Sequence, residues 1–548
     1  MSVRRTIFGA ATCGAVLYGC SLAVSFDDEC SVDGDCAGRG AGFVCSQNLC
    51  VLPGGTGGAG GSISGVLTAQ CPRFHGVPDE ATLTNGNTLI LGTLLPLTGA
   101  LEDFGPPIEQ AVYLAVDEIN QVGGVAGRPL AVISCDSASD AEAAQPSADH
   151  LFTTLKVPGI VGAASSAVTI GVFNSTARRD SGALMISPAS TSPGITDLPD
   201  EGLLWRTIPS DAAQGLAIGE LLLFQGYERV AVVNRDDSYG NGLRDAIIDK
   251  LRAEGFPTDD DTRFANFTYR DETQADDQSQ ALVALGNFEP DIIVLVAFPA
   301  DGTQFLNDAA LQGFKRFVLP DGFRSDEALS NVQDDELLRQ IIGTNPASPS
   351  GDTFQSFRIR YRSRWGDEPA AFDAQAYDAT YMLAYAIAAV GTDQPLTGAR
   401  IAAGLRRLSE GESVESGNAD FNRGLGLLAE DAEATIDYLG TSGPLDMNGE
   451  TGEAPGSIEG WFFDLDRRRV DTLGEILSAE GEFTPPSLPN DMPDEMPDMG
   501  APDAAVEMPD MGMPDMMPSA PDMEPPEEVE DAAVEVPDAA PESRDAMP

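Results

Sequence analysis

The amino-acid sequence predicts an α/β protein of two lobes, each a parallel sheet covered by helices on both faces. From about residue 88 to 322, short apolar runs alternate with segments whose apolar residues recur at helical spacing. Repeated strand–helix units of this kind favour a parallel sheet between two helix layers. Two sets of units, each of about 120 residues, have the size of ordinary domains, so we expect two lobes.

The individual elements follow from local pattern, strands from short apolar runs and helices from apolar residues three or four apart. In the first set the expected strands are 88–94, 130–134, 157–161 and 183–186, and the helices are 107–122 and 140–155. In the second set the strands are 229–234 and 291–297, the helices are 212–224, 243–254 and 273–285, and a further helix precedes the apolar run 317–319. Residues 354–405 are predicted to be mostly helical, with a late strand at 460–465.

Small hydroxyl residues follow two neighbouring strands of the first set. Strand 157–161 leads into Ser166, and strand 183–186 leads into Ser190 and Thr191. Ligands bind open parallel sheets just beyond the carboxyl ends of the strands, near helix N-termini. Helix capping alone also places serine and threonine at such positions. Two such strand ends together favour a site for a small carboxylate.

Composition argues against several classes of function. The 548 residues carry a formal net charge of −55, whereas nucleic-acid binding needs a positive surface. The charge does not imply a cationic partner, because much of the acid lies in one terminal segment. The two histidines, His75 and His150, have no metal-binding spacing, and no base is available to activate a serine. We therefore expect no nucleic-acid partner, no metal, no cofactor and no enzymatic activity.

The first residues have the pattern of an export signal. Two arginines precede the apolar run 7–18, which is too short to span a bilayer. The motif Leu-Tyr-Gly-Cys at 17–20 then resembles a bacterial lipobox with Cys20 as the lipidated residue; an ordinary signal peptide and a chance cysteine are the alternative. A lipid on Cys20 would anchor the exported chain without a membrane span. Ser21, by resemblance to the Gram-negative sorting pattern, favours the outer membrane.

Six cysteines remain if the signal is removed and Cys20 is lipidated. Four of them lie close together in a Gly- and Asp-rich segment: Cys30, Cys36, Cys45 and Cys50. In an exported chain this spacing predicts two disulfides. We favour the alternating order, with the other connectivities and a zinc knuckle as alternatives. Because the number of remaining cysteines is even, Cys71 can pair with Cys135. That disulfide would link the leading segment to the second strand.

Changes in composition divide the chain into five segments. We expect a signal peptide at 1–19, a Cys-rich disulfide segment at 20–52, a Gly-rich linker and leader at 53–86, the two-lobe domain at 87–484 and a tail at 485–548. The tail repeats Met-Pro-Asp, Ala-Pro-Asp and Val-Pro-Asp. Proline and acid at this density cannot bury enough apolar surface to offset chain entropy, so we expect disorder there.

Short motifs at strand and helix ends follow one another in a specific order. They are Leu94-Leu95-Pro96-Leu97-Thr98-Gly99, Asp117-Glu118-Ile119-Asn120, Gly127-Arg128-Pro129-Leu130, Ser165-Ser166, Ile186-Ser187-Pro188-Ala189-Ser190-Thr191, Asp237-Ser238-Tyr239-Gly240 and Tyr377-Asp378-Ala379. Together they resemble the type I periplasmic solute-binding proteins of the leucine/isoleucine/valine-binding family, over roughly residues 87–465. The resemblance implies two α/β lobes joined by crossing hinge segments, with the ligand in the cleft between them. We place lobe 1 at about 87–210 and 346–440, and lobe 2 at about 211–345 and 441–484.

The resemblance also implies a ligand site for an amino acid. It places the ligand carboxylate on Ser166 and Thr191 and offers the backbone carbonyl of Ala189 to the ammonium group. On lobe 2, Asp321 would face that ammonium and Tyr239 would close over the ligand. As alternatives, Asp321 is a turn residue and Tyr239 is a packing residue.

Two aromatic residues complete the expected site. Phe104 would line the first lobe. Phe298 stands where amino-acid binders often have a tyrosine, so it would form a hydrophobic wall without a hydroxyl. A zwitterion needs donors for its carboxylate and an acid for its ammonium, and splitting these between lobes would make closure depend on the ligand.

We therefore expect an extracytoplasmic solute-binding lipoprotein that captures an amino acid or a similar small polar ligand for uptake by an ABC permease. The alternative is a surface or periplasmic sensor of the same fold that passes its closure to a signalling partner. Outer-membrane sorting, the Cys-rich segment and the acidic tail suit display better than docking to an inner-membrane permease.

Overall fold

A computed structural model describes residues 44–46, 49–51, 65–270, 274–325, 328–392 and 394–487. The expected signal peptide, Cys20, Cys30, Cys36, most of the Gly-rich linker and nearly all of the tail lie outside these residues. In a short hairpin the backbones of Cys45 and Cys50 stand opposite each other. The alternating pairing that we favour therefore stays a prediction.

The described secondary structure comprises eighteen strands and fifteen α-helices. The strands are β1 Val44–Ser46, β2 Leu49–Val51, β3 Arg73–His75, β4 Leu89–Leu95, β5 Leu130–Asp136, β6 Gly159–Gly162, β7 Leu184–Ser187, β8 Leu204–Arg206, β9 Val230–Arg235, β10 Phe264–Tyr269, β11 Ile292–Val296, β12 Phe317–Leu319, β13 Ile341–Pro346, β14 Glu412–Glu415, β15 Ile436–Gly440, β16 Gly443–Pro444, β17 Ile458–Asp464 and β18 Arg469–Leu477. The helices are α1 Glu80–Leu83, α2 Gly105–Gln121, α3 Gln145–Asp149, α4 Ser166–Phe173, α5 Thr176–Ser181, α6 Asp211–Phe224, α7 Ser238–Ala253, α8 Gln274–Phe288, α9 Pro299–Leu311, α10 Ala328–Asn331, α11 Asp335–Arg339, α12 Asp352–Trp365, α13 Asp373–Val390, α14 Gly398–Leu405 and α15 Asn418–Glu430.

Lobe 1 is built on a sheet with the order β3-β5-β4-β6-β7-β8. All neighbours pair in parallel except the edge strand β3, which runs antiparallel to β5. The central strands are apolar along nearly their whole length, because helices cover both faces of a parallel sheet. Helices α2 and α13 pack together in the core of this lobe. A disulfide joins Cys71 to Cys135 on β5, the pair that cysteine parity predicts.

Lobe 2 is built on a sheet with the order β10-β9-β11-β12-β13-β17-β18. Its first five strands are parallel, and the hairpin β17–β18 closes one edge in antiparallel fashion. Within the described residues the chain crosses between the lobes three times, after β8, after β13 and before β17. The prediction of two α/β lobes with parallel sheets and hinge crossings is thus confirmed.

Two boundaries differ from those expected from sequence. Residues 73–75, assigned to the linker and leader, form the edge strand of lobe 1 because their backbone pairs with β5. Residues 441–457, assigned to lobe 2, stay with lobe 1 in a small sheet of order β14-β15-β16. In that segment Glu453 also forms an ion pair with the buried Arg206 of β8.

Two helices begin elsewhere than their apolar spacing indicates. Helix α7 starts at Ser238 rather than 243, because the side chain of Asp237 caps it by accepting a hydrogen bond from Gly240 N at 2.8 Å. The helix expected at 140–155 is α-helical only over α3 and continues as a π-helical turn, His150–Leu155.

Candidate ligand site

The two hydroxyl-tipped strand ends of lobe 1 meet at one edge of its sheet. Ser165 is the N-cap residue of α4, yet its side chain makes no capping hydrogen bond. The N-terminal backbone N–H groups of α4 therefore keep their hydrogen-bonding capacity, and the helix dipole makes this end positive. Capping does not account for Ser166 either, since its Oγ accepts from Ser192 N at 3.2 Å on the neighbouring loop.

The other hydroxyls hold these two loops together. Ser187 Oγ donates to the carbonyl of Ala163 at 2.5 Å and accepts from Ser190 N at 2.9 Å. Ser190 Oγ bonds Thr169 Oγ1 at 2.7 Å. These side chains are buried, so they position the loops and leave Ser166 and Thr191 to face the cleft.

A cavity between the lobes brings together all seven predicted ligand-site residues: Phe104, Ser166, Ala189, Thr191, Tyr239, Phe298 and Asp321. Six further residues line it: Leu101, Ile108, Ala164, Ser165, Gly322 and Phe372. It is narrow, with a volume of about 30 Å³. That is room for about two water molecules, so the cleft is nearly closed here.

On lobe 2 the acid and the aromatic residues form one hydrogen-bonded stack. Tyr239 OH donates to Asp321 Oδ1 at 2.8 Å and accepts from Gly322 N at 3.1 Å. The ring of Tyr239 stacks on Phe298 with centroids 5.4 Å apart, and the guanidinium of Arg235 lies 4.2 Å from the Phe298 ring centroid. Phe298 thus lines the cavity between a tyrosine ring and a cation, and its role as a hydrophobic wall for a ligand stays a prediction.

Asp321 is 3% exposed. Burial raises the pKa of its carboxyl to about 6, and the hydrogen bond from Tyr239 opposes that shift. A cation that faces Asp321 would stabilise its ionised form, because burying a carboxylate without a charged or hydrogen-bonding partner raises its free energy.

A second buried acid, Asp211, lies beside the same cavity and was not predicted. Its Oδ2 accepts from Thr191 Oγ1 at 2.8 Å, while its buried Oδ1 has no hydrogen-bond partner among the described residues. Burial, and then the negative charge of Asp321, raise the pKa of Asp211 well above its ordinary value. From sequence, an aspartate in the first turn of a helix looks like a dipole-stabilising residue, so local pattern gives no reason to place it here.

The bond to Asp211 changes the expected chemistry of Thr191. A hydroxyl has one proton to donate, and Thr191 directs it at Asp211. Its remaining lone pairs therefore suit an ammonium donor rather than a carboxylate. The contact predicted between Thr191 and a ligand carboxylate stays a prediction, and the bond to Asp211 leaves the Ser166 hydroxyl and the N-terminus of α4 as the donors at this edge.

Phe372 is the other lining residue that sequence reasoning missed. It precedes α13 in a left-handed backbone conformation, with φ of 71°, and its ring centroid lies 5.7 Å from that of Phe104. A left-handed phenylalanine is uncommon, and here it turns an aromatic ring into the cleft.

Comparison with known proteins identifies the family. Residues 88–432 match the family model described as periplasmic binding protein. The chain belongs to the periplasmic binding protein family. Among curated relatives, this binding protein is 27% identical to a Leu/Ile/Val-binding protein homolog of Brucella abortus over 331 residues, 59% of this chain and 85% of the relative.

Solved structures agree on the fold of this binding protein. It superposes on a leucine-binding protein, LivK, from Thermotoga maritima with a TM-score of 0.58 at 22% identity, covering 71% of this chain and 98% of that one. An ABC transporter substrate-binding protein from Desulfitobacterium hafniense in complex with Leu gives a TM-score of 0.52 at 25% identity, covering 70% and 100%. Membership of a periplasmic family implies a small-molecule ligand and a place outside the cytoplasm.

The described residues contain no group of three or more His, Cys, Asp or Glu side chains arranged to hold a metal ion. None of the helices within the described ranges has both the length and the apolar character that a membrane crossing requires.

Proposed function

We propose that this binding protein captures an α-amino acid in the cleft between its lobes, for uptake through an ABC-type permease. The observation that carries the proposal is the pairing, within one cavity, of a buried acid on lobe 2 with an uncapped helix N-terminus on lobe 1. A zwitterionic amino acid would present its ammonium group to the acid and its carboxylate to the helix N-terminus. The relatives' names, which include leucine- and Leu/Ile/Val-binding proteins, support the same ligand class.

Three acceptors are available for the ligand ammonium. They are the carboxylate of Asp321, the Thr191 hydroxyl polarised by Asp211, and the backbone carbonyl of Ala189. An ammonium group has three donors, so it can satisfy all three. Hydrogen bonds to charged groups contribute about 1.5–3 kcal/mol each.

The ligand carboxylate would lie at the N-terminus of α4. Ser166 supplies a hydroxyl, and the first backbone N–H groups of the helix supply further donors aligned with the positive end of the dipole. Tyr239, Phe298, Phe104 and Phe372 then enclose the ligand from both lobes.

Calorimetric titration of the full chain with the common L-amino acids tests the proposal. We expect at least one to bind with a micromolar dissociation constant, about −8 kcal/mol. Asp321→Asn should weaken binding at least tenfold, since it removes the charge facing the ammonium. Asp259→Asn, which removes an exposed carboxylate of the same lobe, is the matched control and should bind as wild type. Absence of binding by every amino acid would refute the proposal.

We also propose that a lipid on Cys20 holds the protein at the cell envelope, with the outer membrane favoured. The lipobox-like motif supports this anchor, and Cys20→Ser should release the protein from the membrane fraction if it is correct. The alternative of a sensor without transport stays open on the same fold. Loss of amino-acid uptake on deletion of the gene would support transport, and unchanged uptake with an altered response to the ligand would support sensing.

A further inference from the structure

The inter-lobe cleft continues past the candidate ligand site into a much larger cavity. This distal cavity has a volume of about 560 Å³, against about 30 Å³ at the site itself. Phe104, Asp321 and Phe372 line both spaces, so the two adjoin. A side chain as short as that of leucine would leave most of the distal cavity unoccupied.

The distal cavity has two unlike walls. Lobe 2 and the crossing segment after β13 contribute Arg324, Asn345 and Ser348, whereas lobe 1 contributes an apolar wall of Phe354 and the run 369–371, Pro-Ala-Ala. Such a space suits a chain of methylene groups that ends in a polar group on the Arg324 side.

Arg324 is the cation of that polar wall, and its side-chain N–H donors make few and weak hydrogen bonds within the described residues. Its backbone N–H donates to the carbonyl of Asp321 at 3.0 Å, which holds Arg324 one turn beyond that acid. Its Nη2 reaches Ser348 Oγ and Glu459 Oε1 only at 3.5 Å each, and its buried Nε has no acceptor in the described part of the chain. Contacts of 3.5 Å lie at the weak limit of hydrogen bonding, and a guanidinium has five donors.

Among the described residues, Glu459 is the carboxylate that pairs with Arg324, and it is already shared among other donors. Its Oε1 accepts from Asn345 Nδ2 at 3.2 Å and from Ser348 Oγ at 2.5 Å, and its Oε2 accepts from Thr472 Oγ1 at 3.1 Å. Asp103 also lines the cavity but is exposed, so water screens its charge. Arg324 therefore retains capacity for an anion that enters the cavity.

We propose that Arg324 and Ser348 form a distal subsite for the terminal carboxylate of the ligand. The preferred ligand is then an α-amino acid whose side chain is a methylene chain ending in a second carboxylate. This inference rests on the proposed function, because the amino-acid end must bind at Asp321 and Ser166. A guanidinium binds a carboxylate through paired, charge-assisted hydrogen bonds, and the apolar wall covers the methylene groups.

Titration of the full chain with L-2-aminoadipate and with L-norleucine, which share the amino-acid end and the methylene chain, tests the subsite. We expect 2-aminoadipate to bind about tenfold or more tightly. Arg324→Gln should abolish this preference while norleucine affinity changes less than about twofold. Arg324→Lys, which keeps the charge without the fork, should retain part of the preference, and the exposed control Arg339→Gln should retain all of it.

Equal affinity for the two ligands in the wild type would overturn the distal subsite while leaving the proposed function intact, and so would a preference that survives Arg324→Gln. Equal weakening of both ligands by Arg324→Gln would also overturn it, because the residue would then support the fold or the cleft as a whole. If neither these two nor any other amino acid binds, the proposed function itself fails.

Discussion

Ligand affinity should fall about tenfold between pH 7 and pH 5. Asp321 must be ionised to face an ammonium group, and burial raises the pKa of this carboxyl to about 6 in the ligand-free protein. Burial and the negative charge of Asp321 also raise the pKa of the neighbouring Asp211 well above its ordinary value. The amino and carboxyl groups of the ligand do not titrate between pH 5 and pH 7.

The magnitude follows from the fraction of Asp321 that is ionised. With a pKa of about 6, the carboxyl is about 90% ionised at pH 7 and about 10% at pH 5. Protons compete with the ligand in that ratio, so the apparent dissociation constant should rise about tenfold.

Calorimetric titrations at half-unit steps of pH, at constant ionic strength, measure this dependence. Asp321→Asn should bind weakly at every pH and show a flat profile, whereas Asp259→Asn should reproduce the wild-type slope. A wild-type dissociation constant that stays within about twofold from pH 7 to pH 5 would refute the argument, and so would an unchanged slope in Asp321→Asn.

Three further predictions concern stability and closure. The raised pKa of Asp321 should also make the fold more stable as the pH falls, because the folded state binds this proton more tightly than the unfolded chain does. The unfolding free energy should rise by about 1 kcal/mol between pH 7 and pH 5. In denaturant titrations, Asp321→Asn should remove that increment. Glu453→Gln should lower the unfolding free energy by about 3–5 kcal/mol, since it leaves the buried guanidinium of Arg206 without its carboxylate. Glu289→Gln, which removes an exposed carboxylate paired with the half-buried Arg229, should lower it by less than about 1 kcal/mol. Gly242→Ala should weaken ligand binding, because the added Cβ would lie 2.7 Å from Ser192 Oγ across the closed cleft. It should not lower the melting temperature, since alanine improves helix propensity by about 1 kcal/mol. Unchanged affinity would show that the lobes need not approach this closely.

Much of the site could be predicted because its residues sit at ends of elements with strong local patterns. Ser166, Ala189 and Thr191 follow apolar strands, and in a parallel sheet the ends of neighbouring strands meet at one edge. The structure places all three in one cavity with Tyr239 and Asp321. Their roles in binding stay predictions.

Asp211 and Arg324 show where prediction from sequence stops. Each lies one turn or less from an element boundary, where charged residues ordinarily serve as caps or surface groups. What distinguishes them is a partner remote in the chain: Thr191 for Asp211, and for Arg324 the shared Glu459, which lies beyond the third crossing. The 73–75 strand was missed for the same reason, since its pairing partner β5 lies more than fifty residues away.

By itself, the sequence determined the alternation of strands and helices and the hydroxyl-tipped strand ends, because these depend on periodicity and on residues close together in the chain. The acid on the second lobe was expected only from the resemblance of its motifs to a known family. Only the tertiary structure decided that two buried carboxylates share the cleft, that the Thr191 hydroxyl is already committed to one of them, and that a cation lines the space beyond. Those properties depend on burial and on contacts between segments that are remote in sequence. Burial and such contacts decide whether a group is protonated and which of its donors are free, and residues adjacent in the chain do not reveal them.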